Sequence, residues 1–115
     1  MNAEGISLDL ARATPCGLII NELITNVFKY AFPAAFDCKS VRQEACTVWV
    51  SLTFSDGYYL LTVRDNGVGL PAAFDLSTAK SLGLKLVNFL ARHQLRAKVE
   101  VNRENGTEFV IRFKE

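Results

Sequence analysis

Glu22, Asn26 and Lys29 in the stretch GLIINELITNVFKYAF are the residues whose types and spacing first suggest chemistry. At about 100° per residue with Glu22 as zero, Asn26 falls near ~40° and Lys29 near ~−20°, while Leu23, Ile24, Val27 and Ala31 cover roughly 100° to 200°. One side of this helix is core, and the other carries an acid, an amide and a base about one turn apart. A solvated face is the plain alternative, since most helices have one. Such a face ordinarily favours Glu–Lys pairs and strong helix formers, however, and asparagine is a weak one. An amide oxygen near a carboxylate suits a hard cation such as Mg2+, which keeps several waters and takes other ligands from phosphates. Lys29 could then meet a phosphate as a point charge.

A second constellation is VRDNGVGLP over residues 63–71. Asn66-Gly67 alone makes a tight turn. It does not account for Gly69 or for Asp65 at a strand end. Asp65 either caps the bend as an Asx-turn or accepts a hydrogen bond from a ligand amino group such as that of adenine, with Gly67 and Gly69 leaving room for a flat ring. Ser81, Leu82, Gly83 and Leu84 open a further helix, whose first-turn N–H groups and dipole would favour a phosphate. A serine N-cap followed by a closely packed glycine is the plainer reading. Gly106-Thr107 is likewise compatible with an ordinary hairpin turn and strand.

The elements that must position these residues follow from pattern. Residues 6–10 (ISLDL) alternate like a short strand, Thr14-Pro15 offers a helix start, and residues 17–32 read as a long helix ended by Pro33. Residues 34–45 have no period and read as a loop. Residues 47–54 and 58–64, joined by Ser55-Asp56-Gly57, form a hairpin. The stretch 72–80 is irregular, residues 82–95 are helical, and residues 97–102 and 107–113 form a second hairpin around Glu104-Asn105-Gly106. This order predicts an α+β fold, a two-layer sandwich with a mixed, mostly antiparallel sheet and helices on one face.

With 115 residues, half of them hydrophobic, the chain fits one domain over residues 1–115. No apolar run approaches the roughly 20 residues of a membrane helix, and the start lacks a signal-peptide pattern, so no membrane contact by this domain is expected. Cys16, Cys38 and Cys46 are odd in number and lack CxxC spacing. Neither a disulfide nor a zinc site is expected, and a reducing cytosol fits. A net charge of +1 from dispersed residues gives no stripe for nucleic acid.

The order of these motifs is more specific than any one of them. Asn-Glu-x-x-x-Asn-x-x-Lys on a helix, Asp-x-Gly-x-Gly after a strand, a Leu-Gly-Leu helix start and Gly-Thr at a final strand resemble the ATP-binding catalytic domain of sensor histidine kinases. That superfamily includes gyrase, a heat-shock chaperone and mismatch-repair ATPases. The resemblance runs from about residue 6 to residue 113. NELITNVFKYAFP and SLGLKLV…LARHQL…GTEFVIRF are most similar to a branch that often has a short ATP lid. The resemblance implies the Bergerat fold, with ATP and Mg2+ as cofactors. It implies that Asn26 binds magnesium, that Glu22 is the catalytic residue of the helix, a carboxylate that in related ATPases activates the attacking group, and that Asn21 and Lys29 help hold cation and phosphates. It places Asp65 on the adenine amino group, Gly67 and Gly69 under the ring and at the lid hinge, and Thr107 in the base pocket. Ser81, Leu82, Gly83 and Leu84 would meet the phosphates, and Tyr30, where many relatives have histidine, would pack on the nucleotide. In one departure, Ala79-Lys80-Ser81 replaces two glycines of the usual run before this helix.

The implied activity is placement of the ATP γ-phosphate for transfer to a histidine on a separate dimerisation and phosphoacceptor hairpin, which passes it to a response regulator. The expected location is cytoplasmic, alone or within a membrane-attached sensor. His93, the sole histidine, would lie about 15 Å along its helix from the phosphate end and is not expected to be the acceptor. The chain thus reads as a catalytic fragment or an orphan domain. Two alternatives remain open: a nucleotide-binding interaction module without transfer, and an anti-sigma-type serine kinase.

Overall fold

A computed structural model describes residues 6–71 and 74–115; Ala72 and Ala73, the first two of the irregular stretch expected over 72–80, lie outside it. The strand expected over residues 6–10 does not form. Helix α1 spans Leu10–Asn26, starting ahead of Thr14-Pro15, because Asp9 is extended and its Oδ1 accepts from the Arg12 N–H at 3.0 Å. Ile6 and Leu8 pack on the core, with no strand partner among the described residues. Pro15 therefore lies inside the helix, where an interior proline costs about 3 kcal/mol. Burial decides the outcome, since Ile19 and Leu23 on the same face are fully buried and each contributes about 1.5–3 kcal/mol.

After Asn26 the helix widens into a π-type turn, Val27–Ala31, and ends just before Pro33. The expected loop over 34–45 contains a short helix α2, Cys38–Arg42, which Asp37 caps and which Gln43 ends in the left-handed region at φ 62°. That reversal brings Cys46 back to Cys38. The two form a disulfide with Cα atoms 5.3 Å apart, which overturns the expectation of none. The odd count misled because Cys16 stays a free thiol in the core, where burial pushes its pKa up to about 11. Cysteine usage thus no longer argues for a reducing compartment.

Strands β1 (Val48–Ser55) and β2 (Tyr58–Asp65) are joined through Asp56-Gly57, both at positive φ as a tight hairpin turn requires. Helix α3 (Leu82–Phe89) continues into a π-type turn, Leu90–Gln94, and precedes β3 (Lys98–Asn102) and β4 (Thr107–Lys114). Strand order is β1-β2-β4-β3, and every pairing among the described residues is antiparallel rather than mixed. Leu61, Val63, Phe109, Ile111 and Phe113 alternate inward and pack with Ile19, Leu23, Val87 and Ala91 of the helices. This is the two-layer α+β architecture expected. On the uncovered face, Arg64 stacks over Trp49 at 4.0 Å and Arg112 over Tyr58 at 4.2 Å. Among the described residues no helix is long and apolar enough to cross a membrane.

Candidate functional site

The central strands β2 and β4 end side by side, with Asp65 opposite Thr107 in register. Both are buried, at 5% and 6% exposure. Above them the last turn of α1, its π-type extension and the start of α3 enclose a pocket of about 100 Å3. Its walls are mainly apolar, including Leu23, Val27, Val63, Leu84 and Phe109, and its polar groups belong to Asn26, Tyr30, Asp65 and Thr107. An apolar slot with a few polar groups at defined places suits a flat, hydrogen-bonding ring.

Asp65 is the charged group of this slot. Its Oδ1 accepts from the Gly67 N–H at 2.8 Å, so the Asx-turn reading holds as geometry while the same side chain lines the pocket. Burial pushes its carboxyl above the usual carboxylate range, against the pull of the Gly67 and Thr107 N–H groups and the Arg42 and Arg64 guanidiniums. A raised carboxyl pKa means that the fold disfavours the charged form. Ionised Asp65 thus costs stability as pH rises through the folded pKa, and protonation relieves that cost at lower pH.

The glycines divide in role. Gly69, at φ +83°, lines the pocket. Gly67 does not. A Cβ there would overlap the carbonyl oxygen of Ala31 and sit 2.7 Å from its carbon, and the next N–H, of Val68, donates to that same oxygen at 2.9 Å. Gly67 is needed so that the Asp65 turn can lie against the end of the π-type turn.

Of the other expected residues, Asn26, Tyr30, Leu84 and Thr107 come together at the pocket. Glu22 lies beyond it beside α3, where a Cβ on Gly83 would stand 2.7 Å from Glu22 Oε2. Ser81 caps α3, its Oγ accepting from the Leu84 N–H at 3.2 Å. Lys29 and Asn21 are exposed, and Leu82 is 84% exposed; none of the three lines the pocket. Two contributors were missed from sequence. Arg42 donates Nη2–H to the Gly67 carbonyl at 3.0 Å, and the Asn66 amide bonds Ala45 O and Thr47 N–H, each at 2.8 Å. Arg42 lies in a stretch without period, so no sequence signal marked it.

Comparison with known proteins agrees with this architecture. Residues 11–115 match the family described as Histidine kinase-, DNA gyrase B-, and HSP90-like ATPase. The sensor histidine kinase PdtaS of Mycobacterium tuberculosis is 35% identical over 109 residues, covering 91% of this chain and 20% of that protein. Its namesake in Mycolicibacterium smegmatis is 30% identical over the same length and coverage. The chain thus spans about one fifth of the length of these relatives. Among solved structures, the histidine kinase domain of a blue-light activated histidine kinase from Erythrobacter litoralis superposes with a TM-score of 0.81 at 25% identity, covering 98% of this chain and 49% of that one. The Acinetobacter baumannii histidine kinase AdeS, at 18% identity and TM-score 0.67 over 88% of this chain and 46% of that one, shares the fold.

Proposed function

The chain belongs to the histidine kinase-, DNA gyrase B- and HSP90-like ATPase family as a catalytic domain of the sensor histidine kinase type, and from that premise we propose that it binds Mg-ATP and presents the γ-phosphate to a histidine on a separate dimerisation hairpin. The observation that carries the reading is the carboxylate of Asp65, buried at the end of an otherwise mostly apolar pocket. There it accepts from the adenine amino group, while Thr107 borders the base and Tyr30 covers it. Asn26 lines the same pocket on the side toward Glu22 and would hold the cation. Magnesium commonly takes most of its ligands from phosphates and water, so one amide oxygen can be the protein's share. Bound magnesium would neutralise phosphate charge. Glu22 lies one helical turn from Asn26 and against the first turn of α3, and in this reading it takes a proton from the attacking group. Lys29 and Asn21, both exposed, would reach the phosphates, and residues 81–84 would face them from the start of α3.

Asp65→Asn tests the base site. Asn keeps an acceptor for the Gly67 N–H and removes a buried charge, so the fold should survive. Loss of one charge-assisted hydrogen bond costs about 1.5–3 kcal/mol, and ATP affinity should fall roughly ten- to a hundredfold by calorimetry. Unchanged affinity would put the adenine elsewhere. Asn26→Ala tests the cation. It should weaken Mg-ATP far more than metal-free ATP, because the lost contact acts through the ion. Equal losses with and without magnesium would make Asn26 a structural residue.

A further inference from the structure

The loop between α1 and β1 is joined to the nucleotide turn by four hydrogen bonds. Arg42 donates to the Gly67 carbonyl at 3.0 Å, the Asn66 amide bonds both Ala45 O and Thr47 N–H at 2.8 Å, and the Asn66 backbone N–H donates to Thr47 O at 3.3 Å. Cys46 stands between Ala45 and Thr47, inside this joint. The disulfide ties it to Cys38, which is buried at 3% exposure on the helix that delivers Arg42. Arg42 is further held by the Phe36 ring, 5.5 Å from its guanidinium carbon, and its Nε is buried without a partner among the described residues. One cross-link therefore fixes both ends of the segment that positions residues 65–67.

We propose that the Cys38–Cys46 bridge is a redox-sensitive brace for the nucleotide-binding turn, with Arg42 the positioning residue through which it acts. Its effect on affinity rests on the nucleotide reading above; its effect on the turn does not. The reductant is a dithiol. Cys46 is exposed and Cys38 is not, so a dithiol thiolate attacks Cys46 Sγ. The S–S bond breaks and its electron pair leaves on Cys38 Sγ, which takes up a proton. The second thiol then attacks the mixed disulfide and releases Cys46, also protonated. Two electrons and two protons pass to the bridge, and the dithiol ends as its own disulfide. Residues 42–47 then lose their tie to the core, and the turn loses the support that aims Asp65 into the pocket.

The test uses the whole chain, oxidised and after dithiothreitol, with two readouts. Amide hydrogen exchange without nucleotide should quicken at Asn66, Gly67 and Val68 on reduction, while Leu61 and Ile111 in the core stay protected. Affinity for a magnesium-bound, non-hydrolysable ATP analogue should fall about tenfold, the scale of one hydrogen bond from a charged donor. The Cys38→Ser, Cys46→Ser double variant should behave as the reduced chain and ignore dithiothreitol. Arg42→Gln should bind weakly in both states and shrink the redox effect, as expected for coupled sites. Identical exchange in both states overturns the brace, as does acceleration spread equally over Leu61 and Ile111. Quickened exchange at the turn with no analogue bound in either state supports the brace and overturns the nucleotide reading instead.

Discussion

Incubated alone with radiolabelled ATP, the chain is expected to take up no label, whereas a helical hairpin carrying a phosphoacceptor histidine, added in trans, is expected to take up label that is acid-labile and alkali-stable, as phosphohistidine is. Alignment of a nucleophile supplies roughly 7–11 kcal/mol of a barrier, so the difference spans many orders of magnitude in rate. Within these 115 residues the sole histidine is His93, exposed on the π-type turn after α3, its ring 5.2 Å from Phe89. It stands near the end of that helix opposite to Ser81-Leu82-Gly83 and cannot meet a phosphate held there. Glu22→Ala and Asn26→Ala should abolish transfer to the hairpin. Strong labelling of the chain itself that vanished in His93→Ala would overturn this assignment. Acid-stable label on a partner's serine would instead indicate the serine-kinase alternative.

The second large effect is on stability and comes from Gly106. Its φ of +124° is strained for any side chain, and a Cβ there would overlap the Asp65 carbonyl oxygen and stand 2.9 Å from Asn66 Cα. Both neighbours are backbone at the end of a central strand, so neither can swing away. Gly106→Ala should cost about 3 kcal/mol or more, a fall in Tm of more than ~10 °C for a domain of this size. Gly17→Ala is the matched control of opposite sign. Position 17 lies within α1 with nothing near its missing Cβ, so alanine should stabilise the chain by about 0.4–1 kcal/mol. Thermal unfolding of the two variants compares them directly; equal Tm values would show that the approach of Gly106 to Asp65 does not constrain the fold.

Local chemistry made the two hairpins legible, because β-branched and aromatic runs flank Asp-Gly and Asn-Gly turns that have few other uses. The Asp65 turn was legible for the same reason, being fixed by one tight bend, and a helical period set Glu22 and Asn26 one turn apart on α1. What failed needed information from elsewhere in the chain. ISLDL alternates like a strand, but no strand among the described residues pairs with it, and Asp9 finds the Arg12 N–H instead. Pro15 looked like a first-turn residue because local preference says nothing of how much the buried face of α1 offsets. The spacing of Cys38 and Cys46 carries no mark of the turn at Gln43 that joins them. That Gly67 packs against Ala31 had no sequence signal, because that approach is a tertiary contact. The widening of α1 into a π-type turn also departs from the uniform period that put Lys29 on the strip.

The sheet order also determines which part of the chain owns the pocket, and no contiguous part does. Asp65 closes the first hairpin and Thr107 opens the strand that completes the second, and they become neighbours only along the β2–β4 seam. Either hairpin could stay intact while the seam parts, and the cavity would then be gone. A small molecule lodged between Asp65 and Thr107 is therefore a fastener for the whole sheet. Parting the seam first requires its release, which at a hundredfold excess over Kd adds about 2.7 kcal/mol to the opening.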